Sequence, residues 1–361
     1  MRPVGRASER DTVSATRGYP SLTGARFLAA FVVFGSHLYQ RFPYPPLQDL
    51  EWTDRSASSA VTFFFVLSGF VLTRSWRDGD RPVPFWQRRF ARVGPIYLVT
   101  GILTVAYFVA IGEPPSLLAV LVLATASQAW FYRPEYALNV PAWSLSCEVA
   151  FYLAFPAVMA VRGVFRAPWV RRALFVLVLV VHQWASLRTR STFPPFAGLA
   201  FLAGVLLGHE AVSDQTPRWV APTAIAAFLA GQVALVGGSS ALGGIAAALG
   251  LATTVTLVAA LAGSDASGQG GLLERLAPLG LISYAFYMVH YLVIRVTAKG
   301  IRRLSPDYAT HPVQVSVVGA VALAISLAAA WVLYRSVERP LERRLRGTRT
   351  RVEVAEVDPG T

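Results

Sequence analysis

Long apolar segments alternate with short arginine-rich segments along most of the chain. A helix needs about 20 mainly apolar residues to cross the hydrocarbon core of a bilayer, and the sequence holds eleven blocks near that length. This pattern predicts a polytopic bundle of membrane-spanning helices. The blocks lie at 22–40, 57–75, 95–112, 115–130, 142–161, 171–187, 196–212, 219–236, 241–263, 276–298 and 314–334.

The arginines between the blocks predict how the bundle is oriented. Arginines are concentrated in the N-terminal tail, in the loop after the second block and in the C-terminal tail, so all three are expected to be cytoplasmic. The number of crossings is then even. The arginines at 162–172 also fall inside if the short block at 115–130 does not cross. We therefore predict an all-α bundle with about ten spans plus one short re-entrant or interfacial helix.

One loop is an exception to this scheme, because Lys299, Arg302 and Arg303 are placed on the outer side. The predicted organisation is a disordered cytoplasmic tail at 1–20, a transmembrane domain at 21–340 and a basic cytoplasmic tail at 341–361. The expected location is the plasma (inner) membrane, with both termini cytoplasmic.

Composition supports a membrane protein and narrows the classes of partner. Hydrophobic residues make up 54% of the chain and charged residues 15%, whereas soluble proteins carry about 25% charged residues. The net charge of +13 is explained by the loop arginines, so no nucleic-acid partner is expected. Cys147 is the single cysteine, and the histidines lack ligand spacing, so no metal site is expected.

Arg26 and His37 form the most informative pair of residues. They are eleven residues apart, close to three helical turns, so both point to one side of the first predicted helix. An ionisable residue within a membrane span is costly to hold there and therefore indicates function. Imidazole is also the side chain best suited to move a proton near neutral pH. His37 is thus the candidate general base.

Two further blocks carry polar stripes. Ser144, Glu148 and Tyr152 are four residues apart and share one helix face, as do Ser283, Tyr287 and His290. We expect Glu148 and His290 to reach a depth similar to that of His37, in the outer half of the membrane. Burial with a satisfying neighbour remains the structural alternative for each residue taken alone. Trp143 fits an interfacial anchor and a substrate-stacking role equally well.

Two shorter motifs complete the candidate site. Ser68 and Gly69 lie in the middle of the second block, where Gly69 suits a close backbone approach better than a nucleophile elbow. Arg88, Arg89 and Arg92 lie beside aromatic residues before the third block. They fit either an interfacial helix or a phosphate clamp, because guanidinium groups match phosphate oxygens bidentately.

Taken together, these pieces resemble the integral-membrane acyltransferase 3 family. The resemblance covers nearly the whole chain, in order: Arg26 and His37; FFFVLSGF; RRFARVGPIY; WSLSCEVAFY; SYAFYMVH; and YRSVERP, with Glu338. It implies transfer of an acyl group, expected to be acetyl, from cytoplasmic acyl-CoA to a hydroxyl of a glycan, glycolipid or secondary-metabolite sugar. It also implies that Arg26 and His37 are catalytic and that Arg89 and Arg92 handle CoA.

The resulting hypothesis is a membrane O-acyltransferase. Arg88, Arg89 and Arg92 would bind the CoA phosphates, with acyl-CoA as co-substrate and no tightly bound cofactor. Glu148 would act in catalysis, and Ser68, Trp143, Tyr287 and His290 would contact the acceptor. Direct transfer is preferred over an acyl-enzyme intermediate. The alternative is a transporter or flippase of a polar or glycolipid solute, which would also need polar residues at membrane depth.

Overall fold

The computed structural model of the chain describes residues 18–42, 52–77, 79–131, 138–188, 193–237, 240–304, 312–342 and 344. These residues form helices and contain no strand. The helices are α1 (Pro20–Arg41), α2 (Trp52–Ser75), α3 (Pro82–Ala110), α4 (Leu117–Ala124), α5 (Ala142–Ala160), α6 (Pro168–Arg188), α7 (Pro194–Gly208), α8 (Val220–Gly237), α9 (Ser240–Ala266), α10 (Gly271–Arg275), α11 (Ala277–Leu304) and α12 (Pro312–Leu333). A 3₁₀ segment at Arg162–Arg166 follows α5, and a π-helical segment at Tyr334–Glu338 continues α12.

The lengths of these helices confirm the predicted all-α polytopic bundle. Seven helical segments in the described part of the chain are long and apolar enough to cross a membrane, and they lie in α1, α2, α3, α5, α9, α11 and α12. Helices α6, α7 and α8, of 21, 15 and 18 residues, complete the bundle. Helix α4 has 8 residues and extends about 12 Å. That is well under the thickness of the hydrocarbon core, so the block at 115–130 does not cross as a helix.

Contacts between helix ends show how the bundle is arranged. The rings of Tyr19 and Phe70 lie 5.5 Å apart, as do those of Trp76 and Phe85. Helices α1 and α3 therefore begin where α2 ends, and we call this the proximal end of the bundle. Helix α5 also ends there, because Trp86 Nε1 donates to the Tyr152 carbonyl at 2.9 Å. The opposite end, towards which α1 and α11 run, is the distal end.

The proximal end gathers arginine-rich segments from distant parts of the sequence. The segment between α2 and α3 and the segment after α5 both lie there. The scheme in which the block at 115–130 does not cross also puts these two segments on the same side. Helix α5 starts beside the middle of α3. Its first turn is joined to α3 through Gln128, whose amide donates to Ala142 O at 3.0 Å and to Tyr97 Oη at 3.2 Å. The predicted tails lie largely outside the described residues, and the domain boundaries remain predictions.

Glycine pairs allow two helix pairs to pack backbone against backbone. A Cβ added at Gly69 of α2 would overlap the carbonyl oxygen of Phe201, and one added at Gly204 of α7 would overlap that of Val66. This confirms the close approach expected at Gly69. Helices α1 and α11 meet in the same way, because a Cβ at Gly280 would overlap Thr23 O. Gly24 of α1 approaches α10 as closely, because a Cβ there would overlap Leu273 O.

We predict that Gly204→Ala lowers the thermal stability of the detergent-purified protein, because the added methyl group forces α2 and α7 apart. Overpacking of this kind costs about 1–3 kcal/mol. The matched control is Gly300→Ala in α11, where a Cβ meets no atom within 4 Å. That change is expected to leave the melting temperature unchanged or higher, since Ala favours helix over Gly. Equal melting temperatures for the two variants would contradict the close packing of α2 against α7 at Gly204.

Candidate active site

One face of α1 carries both Arg26 and His37 into the interior. Ala30 and Val33 lie between them on the same face and are 0% and 2% exposed, and His37 is 8% exposed. Arg26 is half-buried. Because its helical neighbours face protein, we infer that its remaining exposure is to a cleft within the bundle. The predicted common face of the two residues is confirmed.

The start of α1 is held in place by an aspartate from the end of α9. Asp265 accepts hydrogen bonds from the backbone N–H of Ser21, with both carboxylate oxygens at 3.0 Å, and from that of Leu22 at 3.4 Å. Ser21 Oγ donates to the Gly270 carbonyl at 2.8 Å. These bonds satisfy N–H groups that have no partner within the helix. They therefore also fix the depth of Arg26 and His37.

His37 and His290 form a directly bonded imidazole pair. Nδ1 of His37 lies 2.9 Å from Nε2 of His290, and the ring planes are 17° apart. His290 is fully buried. Nδ1 of His290 lies 3.2 Å from the carbonyl oxygen of Phe286, one turn earlier in α11. The sequence predicted that these two imidazoles converge, and the structure places them in contact.

The carbonyl of Phe286 determines which nitrogen atoms carry protons. A carbonyl oxygen only accepts, so Nδ1 of His290 carries the proton that is donated to it. In a neutral imidazole Nε2 is then an acceptor, and Nδ1 of His37 must donate to it. This leaves Nε2 of His37 unprotonated. The arrangement therefore prepares His37 to take up a proton at Nε2.

Aromatic and hydroxyl groups surround the imidazole pair. The ring of Tyr291 packs edge-on against His37 with centroids 5.1 Å apart, and that of Tyr287 lies 5.9 Å from His290. The Tyr287 hydroxyl lies 2.9 Å from Ser144 Oγ. The polar stripes predicted on α5 and α11 thus meet beside the imidazole pair, where Ser144 of α5 contacts Tyr287 of α11.

A cluster of charged side chains lies nearer the proximal end. Arg26 is within electrostatic range of Arg92, Glu338 and Glu148. We call these four residues the charged cluster. Arg89 is within range of Glu148, and Glu148 Oε2 accepts a hydrogen bond from Tyr152 Oη at 2.9 Å. The cluster joins α1, α3, α5 and the π-helical segment, and its arginines can bind an anion entering the cleft.

The three arginines of the predicted phosphate clamp do not act as one group. Arg88 Nη2 forms an ion pair with Asp80 Oδ1 at 3.1 Å, in the segment before α3. Arg89 stacks over the ring of Phe85, with Cζ 5.5 Å from its centroid. Arg92 lies in the charged cluster. The structure therefore separates Arg88 from the interior, whereas Arg89 and Arg92 face it.

Glu148 lies at a different depth from the one expected. The sequence placed it beside the imidazoles, on the assumption that α5 enters from the outer side. Helix α5 does run towards the proximal end, but Glu148 lies in range of Arg26, Arg92 and Arg89 and so joins the charged cluster. His37 follows Arg26 by eleven positions in α1, which is about 16 Å along the helix. The site thus has two levels, with charges at one and imidazoles at the other.

The two other predicted contact residues, Trp143 and Ser68, lie on α5 and α2. Trp143 packs edge-on against Phe65, with centroids 6.2 Å apart. Ser68 is half-buried on α2. It lies one turn after Phe64, whose ring is 5.7 Å from that of Tyr287.

Sequence reasoning gave no role to three residues that shape the site. Glu338 is 6% exposed, and its Oε2 has no hydrogen-bond partner among the described residues. Asn139 ties the segment before α5 to α11 by donating to Met288 O at 3.0 Å. Asp265 anchors α1. Glu338 could have been identified from the sequence, because it is an acidic residue at the end of an apolar block. The contacts of Asn139 and Asp265 are seen only in the folded structure.

Comparison with known proteins places the chain among acyltransferases. A family model described as "Acyltransferase domain" matches residues 19–335. The chain is 34% identical to "Acyltransferase MdmB" of Streptomyces mycarofaciens, an alignment that covers 95% of this chain and 96% of that protein.

Two further relatives are more distant. "Exopolysaccharide production protein ExoZ" of Rhizobium meliloti is 29% identical over 67% of this chain and 78% of its own length. "Peptidoglycan O-acetyltransferase OatA" of Listeria monocytogenes is 28% identical over 48% of this chain and 28% of its own length. No solved structure matches the chain.

We predict that Asp265→Ala lowers the melting temperature of the purified protein by about 2 °C, because loss of a helix N-cap costs about 1 kcal/mol. Asp214→Ala is the matched control, since Asp214 is exposed in the segment between α7 and α8, and it is expected to melt like the wild type. Identical melting curves for both variants would show that Asp265 does not anchor α1.

Proposed function

We propose, from the premise that this chain belongs to the acyltransferase domain family, that it transfers an acyl group from acyl-CoA to a hydroxyl of a carbohydrate-containing acceptor. The chain is a multi-pass membrane acyltransferase, as the family match and the apolar helices show. The family membership favours an enzyme over the transporter alternative. The donor, the acceptor and the general base are the parts that we propose.

The imidazole pair is the observation that carries this proposal. A general base must hold an unprotonated nitrogen where the acceptor hydroxyl arrives. The chain of bonds from His37 through His290 to the Phe286 carbonyl leaves Nε2 of His37 in that state. His290 stabilises the imidazolium that forms at His37, because Nε2 of His290 accepts a hydrogen bond from the Nδ1–H group of His37.

The distance between the two levels of the site fits an acyl-CoA donor. The charged cluster lies about 16 Å from His37 along α1. The pantetheine arm of CoA is comparable in length to an extended chain of about five residues, which reaches roughly 16 Å. We propose that Arg89 and Arg92 bind the CoA phosphates and that Arg26 binds a polar group of the arm. Glu148 and Glu338 then hold the arginine side chains in position.

The reaction proposed is a direct transfer. Nε2 of His37 takes the proton of the acceptor hydroxyl while its oxygen attacks the thioester carbonyl carbon. The ester C–O bond forms and the C–S bond breaks. The CoA thiolate leaves and receives the proton from the His37 imidazolium. Cys147 is fully buried in the core and has no part in this scheme.

The acceptor is proposed from the relatives, two of which are named for an exopolysaccharide and for peptidoglycan. A sugar hydroxyl, with acetyl as the acyl group, is the corresponding proposal for this chain. The arginine distribution supports a plasma-membrane orientation with the proximal end in the cytoplasm, where acyl-CoA is found. The acceptor would then approach from the distal end.

We predict that His37→Ala lowers the rate of acetyl transfer at least a hundredfold, the usual contribution of a general base. His290→Ala should lower the rate by a smaller factor of about ten, because His37 remains but its Nδ1–H group loses the acceptor that orients it. The measurement is incorporation of label from [14C]acetyl-CoA into the acceptor fraction of membranes.

The control for both variants is His209→Ala, at the end of α7 beside Phe165, which should transfer at the wild-type rate. Size-exclusion profiles identify any variant that fails to fold. Wild-type activity in well-folded His37→Ala protein would rule out His37 as the base.

We predict that Arg92→Gln raises the KM for acetyl-CoA at least tenfold, because a charge-assisted contact to phosphate is lost. Arg88→Gln should change it less than threefold, since Arg88 is engaged by Asp80 outside the cluster. Steady-state kinetics with the acceptor saturating would measure both effects. A larger effect at Arg88 than at Arg92 would place the phosphates at the surface and contradict the proposed path.

A further inference from the structure

Basic side chains are gathered at the distal end of the bundle, where the predicted orientation gives them no role. Lys299, Arg302 and Arg303 lie near the end of α11, and Arg41 is in the last turn of α1. Segments on the outer side of a membrane are normally poor in lysine and arginine, because basic residues favour the cytoplasmic side. These cations therefore need an explanation other than orientation.

One face of α11 leads from the distal end to the imidazole pair. Arg295 and Arg302 follow Tyr291 by four and eleven positions, so the three side chains lie within about 40° of one another around the helix. We call these three residues the distal stripe. Tyr284 lies earlier on the same face, and its hydroxyl donates to the Val93 carbonyl of α3 at 2.7 Å. The distal stripe is therefore turned towards α3.

The inner end of the distal stripe contacts the proposed base. The ring of Tyr291 packs edge-on against that of His37, with centroids 5.1 Å apart. Arg295 follows Tyr291 by one turn, about 6 Å further towards the distal end. An acceptor that arrives from that end therefore meets Arg302 and Arg295 before it reaches His37.

Aromatic rings hold the Arg295 guanidinium without using its hydrogen-bond donors. Its Cζ lies 4.6 Å from the centroid of the Phe108 ring and 5.9 Å from that of Tyr107, both near the end of α3. Such stacking engages the face of the guanidinium, whereas its N–H groups lie in the plane. Nε of Arg295 is buried and has no hydrogen-bond partner among the described residues. Arg295 is thus oriented for an oxygen atom that approaches in its plane.

A second arginine reaches the same level from α1. Arg41 lies about 6 Å beyond His37 along α1, and Arg295 lies about 7.5 Å beyond His290 along α11. Nε of Arg41 is also buried, without a hydrogen-bond partner in the part of the chain that the structure describes. Within those same ranges no carboxylate forms an ion pair with Arg41, Arg295 or Lys299. Both arginine side chains are half-buried, so each keeps a surface that an anionic ligand can contact.

We propose that the distal stripe, together with Arg41, binds an anionic oxygen group of the acceptor, a phosphate or a carboxylate carried near the hydroxyl that is acylated. Guanidinium groups match the oxygens of either group bidentately. This inference rests on the proposed acyl transfer and adds the class of acceptor, an acidic sugar or a sugar joined to phosphate. The CoA phosphates bind at the charged cluster, so the anionic groups of donor and acceptor are held at different levels.

Phosphate groups of the bilayer are the competing occupant. Lysine and arginine near a helix end can reach lipid headgroups at the interface. Phe108, however, shares its face of α3 with Gly101 and Thr104, which are buried. Arg295 is therefore turned towards the protein and not towards lipid. Its continuity with His37 through Tyr291 favours an anion that belongs to the acceptor.

The charge of the product tests the class of acceptor directly. Detergent-purified protein is given [14C]acetyl-CoA and a glycan and glycolipid extract from membranes of a strain that lacks the gene. After unreacted acetyl-CoA has been removed, the labelled product should be retained by an anion-exchange resin. Mass spectrometry then identifies its charged group as phosphate or carboxylate. A labelled product that passes through the resin would overturn the proposal.

A substitution at Arg295 tests the position of the anion site. We expect Arg295→Gln to raise the amount of extract needed for half-maximal transfer about tenfold, the effect of one lost charge-assisted hydrogen bond. The KM for acetyl-CoA should stay within twofold of the wild type. Arg295→Lys keeps the charge and should raise the required amount of extract less than threefold.

The matched control is Arg303→Gln. Arg303 is exposed at the same end of α11 but points about 100° away from Arg302 around the helix, so this variant should need the same amount of extract as the wild type. Equal effects of Arg295→Gln and Arg303→Gln would show that only the general surface charge matters. A rise in the KM for acetyl-CoA in Arg295→Gln would place the donor at the distal end. Either result would contradict the proposal.

A binding measurement does not depend on acetyl-CoA. The extract is separated into neutral and anionic fractions, and the melting temperature of the protein is measured with each, because a ligand that binds the folded state raises it. The anionic fraction should raise the melting temperature of the wild type and not that of Arg295→Gln, and the neutral fraction should raise neither. Phosphatidylglycerol in the same detergent is the control for lipid headgroups. Equal stabilisation by phosphatidylglycerol would assign the distal stripe to the bilayer and overturn the proposal.

The transfer and binding experiments distinguish the two ways in which the inference can fail. A wild type that does not consume acetyl-CoA refutes the proposed function, whereas stabilisation by the anionic fraction would still support the anion site. A wild type that transfers acetyl groups to a neutral product, with no stabilisation by the anionic fraction, refutes the anion site and leaves the proposed function in place.

Discussion

The parallel packing of α1 against α11 is the constraint on which the rest of the site depends. Gly280 lets the backbone of α11 touch that of α1 at Thr23, near the start of both helices, and both helices then run towards the distal end. That register brings Nδ1 of His37 to 2.9 Å from Nε2 of His290. A shift of one residue would rotate either ring by about 100° around its helix and break the bond. Backbone packing thus brings the two imidazoles within hydrogen-bonding distance.

The charged cluster shows a different way to hold polar groups inside a membrane protein. Isolated charges are costly at membrane depth, and they persist where they pair with one another or line an aqueous cavity. Arg26 and Arg92 are set against Glu148 and Glu338. Arg89 adds a third guanidinium group near Glu148, and guanidinium groups bind phosphate oxygens bidentately.

Local pattern in the sequence predicted the helices, the short α4 and the shared face of Arg26 and His37, because helix periodicity depends on neighbouring residues. It could not give the partner of His37, since 253 residues separate it from His290. The same holds for the anchoring of α1 by Asp265. The depth of Glu148 was misplaced because the sequence does not show the level at which α5 packs. Gln128 joins Ala142 of α5 to Tyr97 of α3, and this level sets Glu148 in range of Arg26 and Arg92.

The charged cluster and the imidazole pair are built from different side chains, and α1 contributes one residue to each. Arginines and carboxylates form the charged cluster, whereas aromatic rings and hydroxyl groups surround the pair. The CoA phosphates would lose their charge contacts at the pair, and a sugar ring would find few apolar surfaces at the charged cluster. Each proposed substrate is therefore favoured at one level of the site, and α1 sets the distance between the two levels.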